Sequence, residues 1–184
     1  VCGHCHQRTR EYFNEGPHGK AAADGRMSEC VSCHGYHDIW PPDRALFDTA
    51  CLTCHPADSP AFAAGQPIKA VLSRANESLE TALAEIAHGE RLSPMVARQH
   101  SRLRQARAYL MEALPVQHSL STDRVDDLAR NARSIAEEVR ASVHGVEEER
   151  SVRWVGLGLA WLFVLFVIGL AVLRRGEARR ARQG

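Results

Sequence analysis

The sequence has almost no net charge, +1 over 184 residues carrying 23 basic and 22 acidic side chains, which argues against binding nucleic acid along its length. Lysine is nearly missing from that basic set: only Lys20 and Lys69 are lysine, a bias that points to no function. Apolar residues are sparse over residues 1–60, where Tyr12, Phe13, Val31, Tyr36, Ile39, Trp40, Leu46, Phe47 and Leu52 are the main ones. A segment that short with so little to bury cannot offset its own chain entropy, so an unaided hydrophobic core is excluded there. The chain starts at Val1 without an export signal, although its chemistry requires export, so removal of upstream residues is expected. No cysteine lies outside three short clusters, and no charge interrupts residues 154–173.

The three clusters are Cys2-Gly3-His4-Cys5-His6, Cys30-Val31-Ser32-Cys33-His34 and Cys51-Leu52-Thr53-Cys54-His55. Each reads C-x-x-C-H, the attachment signature of a c-type haem. The two thiols add across two vinyl groups of one porphyrin, and the adjacent histidine reaches its iron. Paired C-x-x-C knuckles also build tetrahedral zinc sites, and a lone pair can do thiol redox chemistry. Neither alternative needs a histidine directly after the second cysteine. With 10 histidines in the chain, three such placements by chance come to about 10⁻⁴. Zinc would also want an even number of knuckles. The expectation is three covalent haem c groups, on Cys2 and Cys5, Cys30 and Cys33, and Cys51 and Cys54, with His6, His34 and His55 as proximal iron ligands. The porphyrins then supply the links and the core that residues 1–60 lack, an irregular module with its haems nearly in contact.

Each iron needs a sixth ligand. His4, tied inside its own motif, is a bystander. His18 sits in the turn Pro17-His18-Gly19 and His37 follows His34 by three residues, so both are candidate distal ligands, His37 for a neighbouring haem. Met27 is the best methionine candidate, and it would raise that haem's potential.

The run Tyr12-Phe13, Pro17-His18-Gly19-Lys20, Cys30-Val31-Ser32-Cys33-His34-Gly35-Tyr36-His37-Asp38-Ile39 and Cys51-Leu52-Thr53-Cys54-His55 resembles multihaem cytochromes c, whose doubled motif pairs an H-G turn with C-x-x-C-H-G-x-H-x-I. The resemblance covers residues 1–60 and implies that the extra histidines are distal ligands of low-spin, bis-His iron. Gly16-Pro17 stands where the family usually has a serine ahead of the H-G turn. A weaker resemblance, Val116-Gln117-His118-Ser119 with Asp123-Arg124-Val125, is to helical parts of larger multihaem oxidoreductases, where such a histidine caps a haem. It makes His118 the third candidate distal ligand.

Beyond a linker at 61–67 the pattern turns helical, so the fold class is mainly α. Ile68, Leu72, Ala75, Leu79, Ala82, Leu83 and Ile86 recur at three- and four-residue steps. Gly89 reads as a stop, and Ser93-Pro94 as cap and first residue of a second helix. That helix carries Val96, His100, Leu103, Leu110 and Leu114 on one face and ends at Pro115. Ser121 and Asp123 open a third, striped by Val125, Leu128, Ala132, Ile135, Val139, Val143 and Val146. Short loops predict an antiparallel three-helix bundle or stalk over 68–150. His100 reads as a core histidine, and His88 and His144 as surface groups.

Residues 154–173 are long enough to span a bilayer, at about 1.5 Å per residue. Trp154 and Trp161 lie toward one side; Glu147 to Glu149 precede the stretch, and Arg174, Arg175, Arg179, Arg180 and Arg182 follow it in a basic tail, 174–184. Without that tail the chain carries 18 basic and 21 acidic groups, net −3. The positive-inside rule puts the tail in the cytoplasm and the haems in the periplasm of a bacterial inner membrane. No turn signal intervenes after Ser121, so the third helix is expected to run on into the membrane.

Together these features predict a membrane-anchored periplasmic electron carrier, without a substrate site of its own, working between a membrane redox partner and a periplasmic or extracellular one, as subunit of a larger complex. Two rivals are a quinol-oxidising haem subunit, whose known kin carry their anchor at the other end, and a structural anchor of a multihaem oxidoreductase.

Overall fold

The structure, a computed structural model, describes residues 1–36, 43–90 and 97–180. Those residues are mainly helical and contain no strand. The chain divides into two compact units, Val1–Arg140 and Ala141–Gly184.

Residues 1–60, expected to be irregular, form short helices whose ends follow from local chemistry. After a 3₁₀ turn at Cys2–His4 come α1 (Gln7–Glu15) and α2 (Pro17–Ala23). Gly16, extended at φ −82° and ψ 172°, breaks the chain between them, and Pro17 starts α2 at the position where its missing N–H costs nothing. Gly25, at φ +72°, ends α2: its N–H bonds Ala22 O at 3.0 Å, and the next N–H, of Arg26, bonds Ala21 O at 2.9 Å. This is the paired closure that a left-handed residue makes possible. Two short pieces, the single turn α3 (Val31–His34) and the two-turn α4 (Leu46–Leu52), complete the segment.

Residues 61–67 are helical rather than a linker. Helix α5 runs Pro60–Glu90, because Ser59 Oγ accepts the N–H of Phe62 at 3.2 Å and Pro60 takes the first helical position. Its opening turns hold α4. Gly65 is buried with Phe47 beside it, Gln66 Nε2 donates to Phe47 O at 3.3 Å, and Lys69 pairs with Asp48. The predicted stop at Gly89 falls one residue short, and Ser93-Pro94 and Val96 lie outside the described residues.

Helix α6 (Ala97–Val116) carries Pro115 inside its last turn instead of ending before it. A 3₁₀ turn at Gln117–Ser119 follows, then Leu120 in the left-handed region at φ 55°, and α7 starts at Thr122, directly after Ser121. The turn is fastened from within: buried Ser119 donates from Oγ to Val116 O at 2.7 Å and accepts the N–H of Ser121 at 3.3 Å. Helix α5 packs on α6. Arg140 of α7 pairs with Glu85 of α5 at 2.8 Å, and Arg102 of α6 pairs with Glu138 of α7.

The core between these helices is built from small and branched side chains. Ile68, Leu72, Ala75, Leu79, Ala82 and Ile86 come from α5, Leu103, Ala106, Leu110, Ala113 and Val116 from α6, and Val125, Ala129, Ala132, Ile135, Ala136 and Val139 from α7. Two stripe assignments shift. Leu83 is 40% exposed, and buried Ala129 takes the place of half-buried Leu128. Where alanines already fill the contact, a neighbouring leucine is turned outward.

In the second unit the described helix includes Val152–Gly169, with mean hydropathy 2.0 and no part buried. It overlaps the predicted span and is long and apolar enough to cross a membrane, about 27 Å at 1.5 Å per residue.

The packing separates two similar-sized side chains. Leu72, 1% exposed, should cost about 2–5 kcal/mol when cut to alanine, whereas Met111, 56% exposed, should change stability by less than about 0.5 kcal/mol. Urea titration in detergent, followed by far-ultraviolet circular dichroism, measures both.

Candidate functional site

The three C-x-x-C-H motifs adopt one local conformation. In each, the histidine N–H bonds the carbonyl of the first cysteine: His6 to Cys2 at 3.0 Å, His34 to Cys30 at 3.0 Å and His55 to Cys51 at 2.9 Å. The second cysteine N–H leans on the same carbonyl, at 3.2, 3.3 and 3.3 Å. Each motif is therefore a single helical turn. Residues three and four apart are neighbours on such a turn, so both thiols and the histidine share one face.

Two motif histidines face histidines from elsewhere in the chain. The His18 and His55 rings lie 6.0 Å apart between centroids, 23° from parallel, and the His34 and His118 rings lie 6.3 Å apart at 26°. An imidazole nitrogen sits about 2.0 Å from a metal it ligates and about 1.1 Å from its own ring centre, so two imidazoles on opposite sides of one metal have centres about 6.2 Å apart. Both pairs have the spacing for one metal between two rings. Which motif His18 and His118 would face is not written in the sequence.

His118 has a further feature of a ligand. Its Nδ1 lies 3.1 Å from Leu114 O and 3.2 Å from Pro115 O. Carbonyls only accept, so Nδ1 carries the proton and Nε2 keeps the lone pair. Metal-binding histidines are commonly oriented by such a bond on the far nitrogen. The same bonds satisfy carbonyls that the end of α6 leaves free. Burial, and then the proximity of His34, hold the His118 imidazole below its ordinary pKa, against the opposing pull of the two carbonyls. His18 is also lowered, by burial first and by His55 second. Both rings are thus held toward the neutral, ligating form.

His6, at the start of α1, is exposed. His37, the remaining candidate distal ligand, lies outside the described residues. His4 is exposed and lines, with Gly3, Gln7, Arg10, Glu11 and Asn14, an open polar cleft of about 370 Å³. His100 is half-buried and His144 exposed.

All six thiols are free; Cys2, Cys5 and Cys54 are exposed, and Cys30, Cys33 and Cys51 half-buried. Burial pushes the Cys30, Cys33 and Cys51 thiols up, and neighbours add to it: Cys2 beside Cys30, Cys51 and Cys54 beside Cys33, and Asp48 beside Cys51. Reactive dithiols need the opposite shift. Among the described residues no three or more His, Cys, Asp or Glu side chains converge as a metal-ion site.

Glycines set the positions of the two non-motif histidines. A Cβ on Gly19 would meet Phe13 O at 2.3 Å and Asn14 Cα at 2.4 Å, so only glycine lets α2, which carries His18, lie this close to α1. The chain matches no protein-family model, no curated protein and no solved structure.

Gly19→Ala must force backbone from backbone, and a loss of about 1–3 kcal/mol is expected. Gly145→Ala, into open space on a helix, should be neutral or stabilise by up to about 1 kcal/mol. Thermal melts of the two variants check the contrast.

Proposed function

We propose that this chain is a membrane-anchored multihaem c-type cytochrome, with three covalent haem groups on residues 1–60, that passes single electrons between a membrane redox partner and a periplasmic or extracellular partner as part of a larger respiratory or electron-transfer complex. The observation that carries the reading is the pair of facing imidazoles. Each joins a C-x-x-C-H histidine to a histidine from outside the motifs, at the separation two axial ligands of one iron require.

The residues present fit the group. A porphyrin brings four nitrogens of its own, so its iron asks the chain for only two ligands, whereas zinc asks for about four. Two facing histidines are enough for the first; the second would need the motif thiols as well, and among the described residues no three His, Cys, Asp or Glu side chains converge on one point. Each helical turn offers two thiols and one imidazole on one face, the set a covalent haem uses. When bound, haem supplies reversible one-electron chemistry at a potential set by its axial ligands and burial. The chain's part is to hold both axial imidazoles neutral and fixed in direction. Burial holds both rings toward the neutral form, and the bonds to Leu114 O and Pro115 O fix the direction of His118. With His37 as the distal candidate for the first or another motif, every iron has a sixth ligand within the chain and the haems need no substrate.

The exposed apolar stretch Val152–Gly169 supports the anchor, and the arginines after it support a cytoplasmic tail. In this reading the haem-packed module sits on a three-helix bundle formed by residues 68–150.

Protein matured in cells that attach haem c should retain its colour through acid–acetone extraction and show three haems per chain as pyridine haemochromes. The reduced, intact protein should be low-spin and bind no carbon monoxide. His18→Ala and His118→Ala should each open one iron to carbon monoxide. A colourless chain would end the proposal. On membrane vesicles, protease applied from the cytoplasmic side should remove only the basic tail, and from the periplasmic side the haem-bearing part.

A further inference from the structure

The two facing pairs draw their outer histidines from places 100 residues apart in sequence, yet those places touch through backbone. Gly16, buried at the corner between α1 and α2, lies against the turn that presents His118. A Cβ on Gly16 would stand 3.0 Å from Ser119 O, 3.1 Å from His118 O and 3.2 Å from Ser119 C. The conformation of Gly16 is ordinary extended backbone that any residue adopts, so it is the tightness of that contact that favours glycine. His18 follows two residues later, in the first turn of α2.

The contact joins two rigid pieces. On one side the 117–120 turn is held by the two carbonyl bonds of His118 and by the two bonds of Ser119. On the other, the α1–α2 corner is held by Gly19 seated on the backbone of Phe13 and Asn14. A second tie runs alongside. Glu15, next to Gly16, takes Arg124 Nη1 of α7 at 2.5 Å, and the same guanidinium lies 4.8 Å over the Tyr12 ring. The corner and the turn are thus tied at two points.

We propose that Gly16 is a positioning residue that locks the His18 and His118 ligand positions into one mechanical unit, so that the second and third motifs keep or lose their distal ligands together. The inference rests on the haem reading above and deepens it. Deleting either imidazole removes a side chain and leaves the backbone in place, so its effect stays at one site. Enlarging Gly16 pushes the corner and the turn apart, so its effect reaches both. Irons held by these histidines would then have their outer ligands on one scaffold.

The test uses the full-length, haem-matured chain in detergent. Haem content, far-ultraviolet circular dichroism, carbon monoxide bound per reduced chain and the low-spin electron paramagnetic resonance signals are measured on the same samples. His18→Ala and His118→Ala should each bind one carbon monoxide and each abolish one low-spin signal, which assigns the signals. Gly16→Val should keep three haems and the helical content, bind two carbon monoxide molecules and lose both assigned signals. Gly16→Ala, which asks its neighbours to yield only a few tenths of an ångström, should weaken both signals by similar fractions and serves where the valine variant does not fold. Opening of one site or none by Gly16→Val, or loss of one signal alone in Gly16→Ala, overturns the coupling while the haem assignment stands. Absence of covalent haem in the unaltered chain overturns both.

Discussion

Residues 1–60 do not bury enough to hold themselves together. Among the described residues of that stretch only Tyr12 and Ala50 count as buried apolar side chains. Everything else about the segment follows from that shortage. Its helices are one to three turns long, too short to be stable alone. They are held by contacts that need no core: Schellman-type closure at Gly25, an Arg10–Glu29 ion pair at 2.7 Å between α1 and the residue before Cys30, and glycines that let backbone rest on backbone. Surface ion pairs contribute little each. The stronger support is borrowed from α5, α6 and the start of α7, where α4 rests on the first turns of α5 and α1 rests on the turn after α6.

The proposed iron sites use this borrowing. His34 faces a histidine from the turn at the far end of α6, and His55 one from α2. Each metal would close a long loop, and linking residues far apart in sequence removes more disorder from the unfolded chain than linking near neighbours. The second pair also ties the cysteine-rich segment to the helical core. Metal ligation and tertiary packing then stabilise the same arrangement, which is how a segment with so little apolar surface can hold a single structure.

How much of this was legible in the sequence depends on the range of the signal. The C-x-x-C-H motifs are read within five residues, and one helical turn is all they need. The stripes of α5 to α7 repeat over many turns and survive small errors such as Leu83 and Leu128. The helices of residues 1–60 are shorter than the window in which periodicity shows itself. Residues 61–67 looked like a linker because Gly65 and Pro67 punctuate most chains. Here Gly65 makes room for Phe47, and the cap at Ser59 with Pro60 had already committed the chain to a helix. His18 and His118 were legible as candidates and not as partners of particular motifs. The information that pairs them sits in Gly16 and Gly19, whose small size matters only once α1, α2 and the turn after α6 are close. Gly16-Pro17 was visible as a departure from the pattern of the cytochromes the segment resembles, and what Gly16 touches, the carbonyls of His118 and Ser119, was not.

The two ends of the chain carry opposite deficits. The first has cysteines, histidines and almost nothing to bury; Val152–Gly169 is an exposed helix of eighteen residues whose one charge is Arg153. Water penalises both conditions, the first through chain entropy and the second at about 25 cal/mol for each Å² of apolar surface left wet. A protein partner that relieved the first would have to supply a core inside a segment already crowded with backbone contacts, whereas a flat macrocycle attached through thiols on one face of each turn brings its own. A bilayer relieves the second without any matching surface, since it asks only for length and apolarity. In the proposed reading, haem would meet the demand of the first stretch and lipid that of the second, and neither would need a matching protein surface.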